Sequence, residues 1–443
     1  MAKKKKTEIT IKFNDQLLLF RYFLNLFGKN TLASLAGQLN SMEQEGYNEN
    51  QNTWFYVYLD RICTVNKDIV KINRDKLRLY DENICRYVKQ IGDKRGGIVL
   101  KYFQYISLLF TEMYLDRYFF DKDEFCKDLN EYAKQVSTQT MGKIDIEFKP
   151  EGMNKLAFMC ATGSGKTLIT HANILQFSYY LKRAQRLNSH LTINKVILLS
   201  PNEGMSNQHL EELKLSSITA ALFQKDTGFL SQREDVIIID MNKLKEEGKI
   251  KTVSIDSFEQ NNLVLVDEAH RGLAGDVWYD YRSRLSADGG FAFEYSATFK
   301  QAMKTLKPTK DKDLLDEYCT SIIMDYSYKY FYEDGYGKEY RIYNLKDGID
   351  EEQRHLYLTG CLLSFYQQLK LFESYPKEFA PFEIEKPLLV FVGNRVTAKT
   401  SNAEMTDVEE VIDTLYCEIN GVKTPDILKE NNFTRGHYLK NIL

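Results

Sequence analysis

A glycine-rich run near the middle of the chain has the residue types of a phosphate-binding loop. It reads Ala-Thr-Gly-Ser-Gly-Lys-Thr over 161–167, behind the apolar run 155–160 and ahead of the helix-like run 168–175. Glycines let backbone N–H groups turn inward toward a phosphate, and the helix N-terminus adds partial positive charge. We expect six residues to hold nucleotide phosphates: Thr162, Gly163, Ser164, Gly165, Lys166 and Thr167.

Two side chains of this loop suit a nucleoside triphosphate. Lys166 can reach the β- and γ-phosphates, and the Thr167 hydroxyl can ligate Mg²⁺. Cys160 stands where the general pattern G-x-x-x-x-G-K-[ST] has its first glycine. A fortuitous glycine turn is the alternative, and the strand–loop–helix context argues against it.

An acidic pair follows a second buried run, 263–266. Ligands collect at the carboxyl ends of parallel strands, so Asp267 and Glu268 should lie beside the phosphate loop. Asp267 would hold Mg²⁺ through water, and Glu268 would polarise the attacking water as general base. His270 is placed to sense the γ-phosphate. A solvated loop is the alternative for such a pair alone, but the phosphate loop upstream favours catalysis.

Positioning these motifs requires a parallel sheet. Strand-like runs alternate with helical or irregular stretches, which predicts an α/β fold with helices on both faces of the sheet. The predicted strands lie near 155–160, 196–200, 236–240, 252–255, 263–267 and 292–296.

Three motifs in this order resemble the superfamily 2 DEAD/DEAH-box helicases and translocases: the phosphate loop, Asp-Glu-Ala-His at 267–270 and Ser-Ala-Thr at 296–298. Over roughly 150–400 the chain is most similar to the helicase part of the Res subunit of type III restriction enzymes. Asp-Glu-Ala-His-Arg at 267–271 and Tyr-Glu-Asp-Gly-Tyr-Gly-Lys at 332–338 carry that likeness. It implies a RecA-like sheet, ATP with Mg²⁺ as cofactors, and hydrolysis coupled to movement along DNA.

The resemblance also implies roles for further residues. Ser296 and Thr298 would couple hydrolysis to nucleic-acid movement. Four residues in loops behind strand-like runs would contact the nucleic-acid backbone: Ser200, Pro201, Asn202 and Ser257. Hydroxyls and amides suit phosphate contacts that carry no sequence information, although ordinary turn chemistry is the alternative. An aromatic or glutamine that grips adenine is expected upstream of the loop, with Phe148 as a candidate.

A motor of this family needs a second RecA-like lobe that supplies arginines in a Gln-x-x-Gly-Arg-x-x-Arg pattern. The sequence contains no such pattern, and Arg395 and Arg435 lack the expected neighbours. We therefore expect a chain that is truncated in its second lobe, binds ATP, and hydrolyses it slowly alone. The alternative is a hydrolysis-poor nucleotide-binding switch or scaffold component. A nucleotide kinase is disfavoured by the Asp-Glu-Ala-His motif.

The chain divides into four predicted segments. A helical accessory domain with aromatic core stripes spans 1–145, and the first, ATP-binding RecA-like lobe spans 146–325. A strand-forming, tyrosine-rich connector spans 326–349. A partial second RecA-like lobe spans 350–443, with its first strand at 387–392.

Composition agrees with a soluble protein of several domains. The chain has 443 residues, 43% apolar and 27% charged, and a net charge of −3, which argues against a globally basic nucleic-acid binder but not against a local groove. No membrane span or secretory signal is evident, and seven scattered cysteines fit a reducing cytoplasm. We expect double-stranded DNA as partner, with a methyltransferase, a nuclease or a second-lobe polypeptide as candidate protein partners.

Overall fold

The chain forms two compact units, Met1–Glu339 and Tyr340–Leu443. The computed structural model describes residues 12–37, 39–66, 70–223, 235–241, 258–269, 276–299, 308–337, 351–382 and 384–390. Among these residues, no helix is both long and apolar enough to cross a bilayer.

A seven-stranded sheet forms the centre of the first unit. Its strands are β1 Lys155–Cys160, β2 Val196–Ser200, β3 Ala220–Leu222, β4 Val236–Asp240, β5 Leu263–Val266, β6 Phe291–Ser296 and β7 Ile322–Tyr326. They lie in the order β3-β4-β2-β5-β6-β1-β7, and every neighbouring pair is parallel. The predicted α/β fold with a parallel sheet is confirmed.

Continuous apolar runs form the central strands because helices cover both faces of the sheet. Every residue of β1, β4, β5, β6 and β7 is buried. Parallel sheets that are buried on both faces have this unalternating pattern. The flanking helices are α7 Lys166–Gln185, α8 Glu203–Leu215, α9 Asp276–Leu285, α10 Pro308–Ser321 and α11 Tyr328–Glu333.

Helices precede the sheet, as predicted. They are α1 Leu18–Leu26, α2 Leu32–Ala36, α3 Trp54–Val65, α4 Arg74–Gly92, α5 Tyr102–Phe120 and α6 Lys122–Gln139. Their aromatic stripes are core: Phe23 and Phe110 are buried, and their rings stack at a centroid distance of 5.2 Å. Helix α5 is buried around most of its circumference because it packs against α7 and β7 as well as against α4 and α6.

The structure corrects the expected strands at three places. Strands β3 and β7 were not predicted, and β7 pairs with β1 inside the sheet. Within the connector, residues Tyr328–Glu333 form a helix rather than a strand. The predicted strand 252–255 lies outside the described residues.

The second unit is described over 351–382 and 384–390. It contains α12 Glu351–Ser374, α13 Pro376–Phe379 and a short 3₁₀ turn, Ala380–Phe382. Residues 384–390 have no regular secondary structure, so the described part of the strand expected at 387–392 does not form one.

Candidate active site

The phosphate loop connects the end of β1 to the start of α7. Gly163 and Gly165 both have φ of +87°, a conformation that side chains with a Cβ rarely adopt. The Ala161 N–H donates to the Tyr326 carbonyl at 2.9 Å, and the Ser164 hydroxyl donates to the Ala161 carbonyl at 2.7 Å. These bonds hold the loop in the open turn that a phosphate cradle requires.

Lys166 lies at the centre of the site. Its ammonium nitrogen Nζ is 3.3 Å from Glu268 Oε1. The nitrogen is buried, and within the described part of the chain no acceptor makes a hydrogen bond to it. An ammonium group carries three donors, so this lysine retains the capacity to bind anionic oxygens.

The acidic pair lies at the carboxyl end of β5. The Asp267 N–H donates to the Leu199 carbonyl at 3.0 Å, which ties the turn to the neighbouring strand β2. Glu268 has a φ of +51°, an unusual value for a residue with a side chain, and its N–H donates to Asp267 Oδ1 at 3.0 Å. Strained backbone of this kind clusters at functional sites. The structure therefore brings Lys166 and Glu268 together, and Asp267 precedes Glu268 directly behind β5.

Asp267 has a partner that was not predicted. His209 of α8 approaches it, with Nε2 at 3.0 Å from Asp267 Oδ2, and the imidazole is buried. The sequence separation of the two residues left no local pattern from which this contact could be read.

The predicted coupling residues lie at the end of β6. Ser296 is fully buried, and its hydroxyl oxygen accepts a hydrogen bond from the Thr298 N–H at 3.1 Å. Thr298 is half-buried. The third predicted coupling residue, His270, which was expected to sense the γ-phosphate, lies outside the described residues, as does the backbone-contact candidate Ser257.

The loop behind β2 contains the other predicted nucleic-acid contacts. Ser200 is buried, and its hydroxyl lies 2.5 Å from that of Ser206. Pro201 is half-buried and Asn202 is exposed. The Asn202 side chain accepts the Met205 N–H at 2.9 Å and so caps α8. Ser200 thus stabilises the loop from inside, while Asn202 is at the surface.

The part of the chain that contains the phosphate loop and the acidic pair is similar to a known protein family. Residues 127–305 match the family described as "Type III restriction enzyme, res subunit". The matched stretch contains the phosphate loop, the acidic pair, Ser296 and Thr298. This match supports the expected resemblance to the Res subunit of type III restriction enzymes over residues 127–305. No curated protein matches the chain.

Three solved structures are also similar to parts of this chain. A Pyrococcus furiosus Hef helicase domain matches at 17% identity and a TM-score of 0.29, over 66% of this chain and 52% of that one. A Sulfolobus solfataricus SWI2/SNF2 ATPase core in complex with double-stranded DNA matches at 15% identity and 0.27, over 68% and 59%. A Saccharomyces cerevisiae Dbp5 variant matches at 16% and 0.25, over 39% and 43%. The chain thus spans about half the length of these structures.

A cavity of about 550 Å³ opens beside the predicted phosphate loop. Gln104 of α5 lies in its wall, together with Gly163, Gly165 and Thr167, and both apolar and charged side chains complete the lining. The Gln104 amide donates to the Ser164 carbonyl at 3.0 Å, and its oxygen accepts the Lys101 N–H at 2.9 Å. Phe148 does not line this cavity, so Gln104 is the upstream residue that contacts the loop.

The residues of this site fit a nucleotide with Mg²⁺. Among the described residues, none accepts a hydrogen bond from the buried Lys166 ammonium, and a Cβ at Gly165 would overlap the Gln104 amide. Within the described ranges, no cluster of three or more His, Cys, Asp or Glu side chains could hold a metal ion alone. Mg²⁺ at phosphate sites commonly takes one or two protein ligands and fills the rest with water and phosphate oxygens. The Thr167 hydroxyl and the Asp267 carboxylate offer oxygen atoms that could serve as these one or two protein ligands.

Two other reactive side chains near the loop have structural roles. Burial raises the pKa of the Cys160 thiol to about 12, so this cysteine stays protonated. His171 of α7 is fully buried, and its Nδ1 lies 2.7 Å from the Ser216 hydroxyl. Burial lowers the pKa of His171 to about 3, so its imidazole is neutral at physiological pH.

Proposed function

We propose that this chain is an ATP-dependent DNA helicase or translocase subunit, and that Mg²⁺-dependent ATP hydrolysis drives its movement on double-stranded DNA. The observation that carries the proposal is the buried Lys166 ammonium, held 3.3 Å from Glu268 and without a hydrogen-bond acceptor among the described residues. A phosphate-binding lysine beside an acidic pair is the arrangement that triphosphate hydrolysis needs.

In this proposal, binding of the nucleotide moves the Lys166 ammonium from the Glu268 carboxylate to the phosphate. Phosphate oxygens bring more negative charge than one carboxylate, and the loop N–H groups orient them toward the lysine. When Lys166 turns to phosphate, its ion pair with Glu268 breaks, and the Glu268 carboxylate can accept a proton from water. Binding of the nucleotide would thereby prepare the general base.

Thr167 and Asp267 would hold the metal ion. The hydroxyl of Thr167 follows the phosphate lysine directly, and Asp267 lies at the end of β5 with its Oδ1 already accepting the Glu268 N–H. Bound Mg²⁺ would neutralise charge on the transferred phosphate. Thr167 and Asp267 would fix the position of Mg²⁺ relative to Lys166.

Gln104 is proposed to recognise adenine in the adjoining cavity. One amide N–H and one lone pair of the amide oxygen remain after the bonds to Ser164 and Lys101. A glutamine amide can pair with adenine through N6 and N7, which offer a donor and an acceptor at matching spacing. The aromatic side chains of Phe103 and Phe331 in the cavity wall suit the faces of a base.

Nucleic acid is proposed to contact the loop behind β2. Asn202 is exposed there, and Pro201 is half-buried. The proposal of DNA, and of a restriction or phage-defence system with methyltransferase or nuclease partners, is supported by the Res-subunit match. Because the printed sequence has no Gln-x-x-Gly-Arg-x-x-Arg pattern, we expect slow hydrolysis by the chain alone.

Steady-state ATP hydrolysis with and without double-stranded DNA tests the proposal, beside Glu268→Gln. We expect turnover that DNA stimulates and that the variant loses, with ATP binding retained in both. An unrelated site of hydrolysis would leave Glu268→Gln as active as wild type and would refute the assignment. Retained ATP binding with turnover no higher than that of Glu268→Gln would favour the nucleotide-binding switch over the motor.

A further inference from the structure

Helix α8 connects the loop behind β2 to Asp267, the carboxylate that is proposed to hold Mg²⁺. It starts at Asn202, whose side chain caps its first turn, and the Ser200 hydroxyl contacts Ser206 in that turn. His209 follows three residues later and reaches Asp267 Oδ2 at 3.0 Å. At 1.5 Å per residue, about 10 Å of helix separates Asn202 from His209. One rigid element therefore carries both contacts.

The other end of α8 is fixed by the N-terminal helices. Arg95 follows α4 and forms an ion pair with the Glu212 carboxylate at 2.7 Å, and it donates to the Glu212 carbonyl at 2.8 Å. Lys94 donates to the Lys214 carbonyl at 3.1 Å. Positive side chains at a helix C-terminus stabilise its free carbonyls. Because α8 is held at both ends, His209 approaches Asp267 from a fixed support.

The contacts of Asp267 leave its carboxylate little freedom. Oδ1 accepts the Glu268 N–H, and Oδ2 contacts His209. Each oxygen keeps a further lone pair for a metal-bound water. Removing the imidazole would release Oδ2 and allow the carboxylate to rotate about its side-chain bonds.

We propose that His209 is a positioning residue that orients the Asp267 carboxylate for Mg²⁺ and ties that carboxylate to the Asn202 loop through α8. The inference rests on the proposed function, since it assumes that Asp267 serves a metal–nucleotide complex. Partners that orient metal-binding carboxylates and imidazoles typically change metal affinity by 10–100-fold when removed.

His209→Gln and His209→Asn form a matched pair for the test. Both replace the imidazole by an amide, but only the longer glutamine can place its N–H near the position of Nε2. His190→Ala, at an exposed site, is the surface control. Mn²⁺ binding to the full chain with the non-hydrolysable ATP analogue AMP-PNP is followed by electron paramagnetic resonance. Binding of a fluorescent ATP without metal, in EDTA, is measured in parallel.

We expect His209→Asn to raise the Mn²⁺ concentration for half-saturation by about 10-fold or more, with metal-free nucleotide binding unchanged. His209→Gln and His190→Ala should stay near wild type. Equal Mn²⁺ binding by folded His209→Asn and wild type would overturn the role of His209 while leaving the nucleotide site intact. Absence of nucleotide binding by wild type itself would instead refute the proposed function. Thermal melts identify a variant that fails to fold. If His209→Asn fails to fold, His209→Gln decides, because loss of Mn²⁺ binding in folded His209→Gln contradicts the proposal.

Discussion

The Gln104 amide of α5 donates to the Ser164 carbonyl of the phosphate loop at 3.0 Å. Helix α5 belongs to the N-terminal helices, yet its first turn touches the loop that cradles phosphate. The N-terminal helices and the sheet lie in one compact unit, Met1–Glu339. The N-terminal helices are thus part of the wall of the cavity that is proposed to hold adenine.

Gln104→Ala should weaken ATP binding and reduce the preference for adenine. A bidentate glutamine–adenine contact contributes about 1–3 kcal/mol of discrimination, so we expect a loss of roughly 5- to 150-fold in ATP affinity relative to GTP. Isothermal titration calorimetry with ATP and with GTP measures the two affinities. Gln139→Ala, an exposed glutamine at the end of α6, is the control. An unchanged ATP-to-GTP ratio would remove Gln104 from the base site.

Lys166→Ala should reduce ATP binding below detection, or by about 100-fold where binding is measurable. A hydrogen bond to a charged group contributes about 1.5–3 kcal/mol, and Lys166 is the buried cation of the loop. Fluorescent-ATP titration measures the change. Lys182→Ala removes an exposed lysine from the last turn of the same helix and should bind as wild type does. Unchanged affinity in Lys166→Ala would rule out the phosphate loop as the nucleotide site.

The sequence predicted most of the strands of the sheet, while the catalytic roles of Lys166, Asp267 and Glu268 stay predictions. The apolar runs of β1, β4 and β5 are long enough to be recognised, and the residues behind β1 and β5 carry their own motifs. Parallel pairing then places Lys166 and Glu268 together, because carboxyl ends of parallel strands meet at one edge of the sheet.

The elements that were missed depend on tertiary contacts. Strand β3 spans only Ala220–Leu222, and β7 is followed by a tyrosine-rich run that has no alternating pattern. Pairing with β4 and β1 makes them strands. Gln104 lies in a helix whose apolar spacing indicates a core element. His209 contacts Asp267, which is distant from it in sequence. Neither could be found without knowing which helices pack against the loop.

A buried carboxyl should make stability depend on pH. Glu112 of α5 is fully buried and accepts hydrogen bonds from Asn83, Gln176 and Tyr180, each at 2.8 Å. Burial raises the pKa of Glu112 from 4.5 to about 7, against the effect of those three donors. Between these values the folded chain holds a proton that the unfolded chain releases.

The sign of this effect is definite. The free energy of unfolding gains a contribution as pH falls through about 7, the contribution is complete below 4.5, and it is lost as pH rises. At 1.36 kcal/mol per pH unit it is on the order of 3 kcal/mol. Glu112→Gln cannot titrate, so the difference in unfolding free energy from wild type should change with pH. Urea melts at pH 5.5 and 8.5 measure it, with exposed Glu131→Gln as control. A pH-independent difference would show that Glu112 titrates normally.

An ion cluster that is mostly buried supports strands β1 and β6 of the sheet. Arg282 of α9 donates to Glu294 of β6 at 2.5 Å and to Glu317 of α10 at 3.1 Å. Lys155 of β1 completes the cluster, with its ammonium 2.6 Å from Glu317. Glu294 lies two residues before Ser296, so these ion pairs hold the strand that ends at the predicted coupling residue.

Arg282→Ala should destabilise the fold by about 3–5 kcal/mol, because it leaves the buried Glu294 carboxylate with fewer compensating charges. Arg282→Met keeps the volume but removes the charge, and it should cost nearly as much for the same reason. Arg186→Ala, an exposed arginine behind α7, should change stability by less than about 0.5 kcal/mol. Urea unfolding at neutral pH measures all three. A small effect for Arg282→Met together with a large one for Arg282→Ala would mean that packing, rather than charge, is what Arg282 contributes.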